Sequence, residues 1–118
     1  MGVNEQILKL MARYPSARVV EVGVAQAEGA TKILSLDNVV SYIGVDPWAW
    51  YEKAPGDDYQ EGYIDRKMGL WSSQHEWEGA YQRAMQRLEP FGDRVRVIRA
   101  YSHEAVSQVE DDLDVVYI

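Results

Sequence analysis

Cysteine is absent from the 118 residues, which removes disulfides, thiolate metal sites and a cysteine nucleophile from consideration. Positive charge is scarce: 12 Lys and Arg stand against 19 Asp and Glu, for a formal charge of −7. Proteins that bind nucleic acid usually meet its phosphates with a basic patch. No nucleic-acid partner is therefore expected, although Arg94, Arg96 and Arg99 leave room for a local basic spot. No apolar run approaches the roughly 18 residues that span a bilayer, and no secretory apolar segment follows Met1. The expectation is a soluble, cytoplasmic protein with no membrane partner. No repeat or low-complexity tract breaks the chain.

Hydrophobic residues make up 47% of the sequence, enough for the core of one small domain. Ile7, Leu8, Leu10 and Met11 share a helical stripe behind Asn4, a suitable N-cap, and Pro15 ends that helix. "ARVVEVG" reads as a buried strand, "AEGATKILSL" as a helix, and "VVSYIGVD" as a second strand closed by Pro47. Residues 49–73 lack a period but hold Trp50, Tyr51, Tyr59, Tyr63 and Trp71. Such an excursion is either ordinary packing over the sheet or a lid over an acceptor. Helical spacing returns with Trp77, Tyr81, Met85 and Leu88, capped by Ser72 or Ser73 and expected in the core. "RVRVIRA" alternates as a strand, "SHEAVSQV" is a short helix capped by Ser102, and "LDVVYI" is a last strand.

Strands joined by helical crossovers make a parallel α/β sheet. Its ligands bind at the carboxyl ends of the strands, where the winding reverses. Three such ends fall at Glu21 to Gly23, at Asp46, and at Ala100 to Ser102. A dinucleotide turn would read G-x-G-x-x-G, so that a pyrophosphate meets bare backbone. Counted from Gly23, the next two positions are Ala25 and Glu28. The fingerprint fails twice, and Glu28 would repel a phosphate. A cationic ligand without phosphate suits these acids better, and S-adenosylmethionine has that chemistry. Asp46 lies where an acid receives ribose hydroxyls, some twenty residues beyond the turn.

"VVEVGVAQAEGATKIL", "YIGVDPW", "VRVIRAYSHEAV" and "LDVVYI", in this order, resemble class I S-adenosylmethionine-dependent methyltransferases, over roughly residues 17–48 and 93–118. The nearest group reads E-[IV]-G-x-x-x-G-x-S-T in its first motif and G-[IV]-D-P-W at its second strand end. The resemblance implies a Rossmann-like, doubly wound parallel sheet of about four strands in the order 3-2-1-4, with helices on both faces. It implies S-adenosylmethionine as cofactor and a small-molecule methyl acceptor, such as a sugar or phenolic hydroxyl. Glu21 and Gly23, with Ala25 and Gln26, would border the methionine moiety. Asp46 would hold the ribose, Pro47 and Trp48 would flank the adenosine, and Tyr101 and Ser102 would lie near the adenine. The sequence departs from the group at Ala27, where a second glycine is usual, and at Gly29 and Ala30, which replace Ser and Thr.

The family's fourth strand runs into an acid that serves the acceptor or a metal, whereas this sequence ends at Ile118. Residues 1–118 are thus expected to form one cofactor-binding domain cut after its fourth strand. The base would lie outside these residues. The alternative is a non-catalytic interaction module that forms a homo-oligomer through the apolar "VVYI" edge. Simpler roles stay open for single residues: Glu21 can cap the following helix, and Asp46 before Pro47 can simply form a turn. His75 and His103, with no carboxylate pattern around them, give no grounds for a metal site. Glu110 to Asp114 reads as a solvated turn.

Overall fold

The computed structural model describes residues 3–49, 73–110 and 112–118; the expected lid at 49–73 lies almost wholly outside them. Helix α1 (Glu5–Met11) leads into β1 (Ala17–Val22), α2 (Glu28–Leu34) and β2 (Val39–Val45). After the undescribed stretch come α3 (Gln74–Leu88), a 3-10 turn, β3 (Val95–Ile98), α4 (Ser102–Ala105) and β4 (Val115–Tyr117). All strand pairs are parallel and the order is β3-β2-β1-β4. The sheet is the Rossmann-like α/β arrangement expected from the sequence. Three strands step in one direction and β4 returns to the other side of β1. The winding therefore reverses between β1 and β4.

Local chemistry explains the element ends. The Asn4 side chain accepts from the Ile7 amide at 3.0 Å and starts α1. Ser73 accepts from Glu76 at 3.2 Å and starts α3. Helix α4 differs from expectation, because its cap is Tyr101 and Ser102 is already helical. Arg94 reaches back to the carbonyls of Leu34, Leu36 and Val39, satisfying orphan acceptors at the end of α2.

The central strands β1 and β2 are covered on both faces, which is why they read as nearly continuous apolar runs. On one face α1, α2 and α3 bury Met11, Ile33, Leu34, Ala80 and Ala84 against Val19, Val39 and Tyr42. On the other, Ala105 of α4 packs with Val20, Ile43, Val45 and Ile98. In α3 the deepest residues are Ala80, Ala84 and Leu88, while Trp77 and Tyr81 are only partly buried. The small alanines let the helix approach closely and the aromatics flank the contact. The acids after α4 are not simply solvated: Asp112 pairs with Arg18 at 2.8 Å and Glu110 with Arg96 at 3.3 Å. Among the described residues no helix is long and apolar enough to cross a membrane.

Candidate functional site

The link from β1 to α2 is a tight turn in which Gly23, Ala25 and Ala27 have φ of +93°, +53° and +66°. Only glycine visits this region freely; an alanine there costs about 1–2 kcal/mol. Hydrogen bonds hold the turn against that strain. The Gly23 amide donates to the Val45 carbonyl at 2.9 Å. Asp46 Oδ2 accepts from the Val24 and Ala25 amides at 2.9 and 3.0 Å. The Trp48 indole donates to the Ala25 carbonyl at 2.7 Å. From α3, Arg83 donates to the Gln26 side chain at 2.6 Å and Arg87 to the Gln26 carbonyl at 2.8 Å.

Asp46 therefore does local work as well as standing at a strand end. Its Oδ1 accepts from the Trp48 amide at 2.8 Å, closing an Asx turn across Pro47. Among the described residues three amides donate to it, which leaves one of its four acceptor directions, on Oδ1, for a further donor. The same bonds bear on phosphate. The two amides that a phosphate would use at this turn already face a fixed anion.

Glu21 is 4% exposed. Gly44 is its partner across β2, and the missing side chain there lets the Tyr42 ring lean over. The Tyr42 hydroxyl donates to Glu21 Oε1 at 2.6 Å. The other oxygen abuts the first turn of α2, where a methyl on Gly29 would lie 3.0 Å away. Burial pushes the Glu21 carboxyl up to about 7; the Tyr42 bond opposes this and the nearby Asp46 charge adds to it. Burial and Glu21 together push the Tyr42 hydroxyl up as well. The two acids thus sit close enough to feel each other at the carboxyl ends of β1 and β2.

The remaining expected residues divide. Trp48 is fully buried and meets Tyr81 edge-on at 5.0 Å, so its ring packs against α3 rather than lining an open crevice. Gln26 is occupied by Arg83 and Arg87. Pro47 contributes its carbonyl to Arg99 at 3.4 Å. Tyr101 is exposed and stacks on His103 at 5.9 Å, with Ser102 also exposed beside it. Arg94, Arg96 and Arg99 form no basic patch, because Arg94 caps α2, Arg96 pairs with Glu110, and Arg99 pairs with Glu78 and lies 4.3 Å over Tyr81. Among the described residues no group of three or more His, Asp or Glu could hold a metal ion.

Sequence reasoning missed Tyr42, Arg83 and Arg87. Strand alternation could have found Tyr42, since it shares a face with Glu21. Nothing local in the sequence announces the two arginines, whose contact spans some sixty positions. No family model, curated protein or solved structure matches this chain.

Proposed function

We propose that the chain is the cofactor-binding part of an S-adenosylmethionine-dependent methyltransferase acting on a small-molecule hydroxyl. The observation that carries this reading is the pair of buried carboxyls, Glu21 and Asp46, gathered at the strand ends beside a turn whose amides are already spent on Asp46. A phosphate would find an anion in its place. An adenosyl group bearing a sulfonium and an ammonium would find attraction. The sequence resemblance supports the same ligand.

In this reading Glu21 and Gly23 border the methionine end, and the free direction of Asp46 Oδ1 receives one ribose hydroxyl. Tyr101 and Ser102 lie toward the adenine. Ala25, Gln26, Pro47 and Trp48 shape and hold the turn. S-adenosylmethionine would supply an electrophilic methyl: the oxygen of the acceptor hydroxyl would bond to that carbon in line as the carbon–sulfur bond broke, its proton would pass to a base supplied from outside these residues, and S-adenosylhomocysteine would leave. Positioning supplies most of the rate.

Calorimetric titration with S-adenosylhomocysteine tests the reading. Binding is expected for the wild type and for Glu110→Ala, and weaker binding for Asp46→Ala. Absence of heat at millimolar ligand with folded protein refutes it, and equal affinities for the two variants refute the ribose assignment.

A second reading, an interaction module assembling through β4, draws on one observation: Val116 on that outer strand and Ile118 just beyond it are 55% and 85% exposed. A stable dimer in light scattering, together with no cofactor binding, would favour it.

A further inference from the structure

Glu21 is a buried carboxyl with no cation among the described residues to balance it. The groups around it come from every neighbouring element. From β2 comes the Tyr42 hydroxyl at 2.6 Å, and from the residue just past that strand the Asp46 carboxylate, an anion that disfavours a second negative charge. In β4, Tyr117 stands beside it in register. Its α2 neighbour is Gly29, while the charged residues of α2 are engaged elsewhere. Glu28 pairs with Arg87 at 3.8 Å, and Lys32 Nζ donates to the Val3 carbonyl at 3.4 Å. Val3 itself presents an apolar side chain to Gly29. The α3 arginines Arg83 and Arg87 end on Gln26. Among the described residues, no ion pair includes Glu21.

We infer that binding of a positively charged ligand at this site is linked to release of the Glu21 proton. The inference rests on the adenosyl reading above. Below its midpoint the empty site holds the carboxyl as the neutral acid, because burial removes the water that would solvate the anion and the nearby Asp46 charge adds to that cost. An arriving cation reverses that balance. The O–H bond of Glu21 breaks, its proton goes to the buffer, and the carboxylate stays with the ligand's positive charge. Tyr42 can donate to either form. With its midpoint pushed up to about 7, both forms are accessible near neutrality, so the linkage falls in a measurable range.

The probe is S-adenosylmethionine, titrated calorimetrically into the full chain from pH 5.5 to 7.0 in two buffers with different heats of protonation. The ligand's α-amino group, with a pKa of about 7.7–8.0, stays charged over this range. The expected result is an affinity that rises toward tenfold per pH unit, with close to one proton released per ligand at the acid end. Glu21→Gln should bind with a flat pH profile and release no proton. If that variant fails to fold, the two-buffer proton count on the wild type decides alone. Binding without proton release, or a slope retained in folded Glu21→Gln, overturns the linkage and leaves the cofactor reading standing. No binding at any pH overturns both.

Discussion

Replacing Asp46 by alanine removes the acceptor for three backbone amides at once: Val24, Ala25 and Trp48. The first and third of these bonds are buried and the second is partly so. A buried donor left without a partner costs about 1–3 kcal/mol. Water can reach the Ala25 amide more readily than the others, so the expected loss is about 3–5 kcal/mol. That is a large share of the roughly 5–15 kcal/mol by which a domain is stable. The loss should extend beyond the hydrogen bonds, since Ala25 and Trp48 both have positive φ and are held by this carboxylate. Asp46→Asn keeps one accepting oxygen and should lose about half as much. Urea denaturation at pH 7, comparing both variants with the wild type, measures these differences. A loss below about 1 kcal/mol for Asp46→Ala would refute the claim that Asp46 fastens the β1–α2 turn to β2.

Glu21 predicts a pH dependence of stability. Its folded-state midpoint, about 7, lies above the ordinary 4.5, so folding takes up a proton between those values and stability falls as pH rises through the window. At about 1.4 kcal/mol per unit the fall is about 3 kcal/mol. Denaturation midpoints at pH 4.5 and 8 should show it, and Glu21→Gln should flatten that contribution. Gly29→Ala would put a methyl 2.9 Å from Val3 Cγ2 and 3.0 Å from Glu21 Oε2. Crowding of that kind costs about 1–3 kcal/mol, which outweighs the helix-propensity gain of about 1 kcal/mol; a net loss in denaturant is expected. Trp48→Phe keeps the ring contact with Tyr81 but removes the indole bond to the Ala25 carbonyl. Its denaturation should show a loss of about 1–2 kcal/mol.

Much of the fold was legible because periodicity and punctuation agree along the chain. Val19, Val20, Ile43 and Val45 announce strands buried on both faces, and Asn4 and Ser73 mark helix starts that the structure keeps. The parallel direction of the strands followed from their alternation with helices, and their order from the resemblance to a known family. The depth of α3 was harder to read. Trp77 and Tyr81 draw attention by size, yet Ala80 and Ala84 lie deepest because only small side chains permit that approach.

The site was legible as a set of strand ends and opaque as a set of contacts. Glu21 and Asp46 come together because the sheet places their strands side by side, which the topology implied. That Asp46 turns its oxygens onto the Val24, Ala25 and Trp48 amides depends on the left-handed turn at Ala25 and on the backbone of Trp48. Neither alanine nor tryptophan signals positive φ in a sequence. The inward turn of Trp48 follows from that same backbone. The arginine clamp on Gln26 needed the packing of α3 beside α2 before it could be seen.

The central claim concerns what occupies the space beyond these strand ends, and a crystal structure of the full chain soaked with S-adenosylhomocysteine tests it most directly. The account predicts the adenosyl group over the ends of β1 and β2, with a ribose hydroxyl on Asp46 Oδ1 and the ligand's ammonium toward Glu21. Ligand bound at another surface, or density for a phosphate compound seated on the Val24 and Ala25 amides, would contradict it.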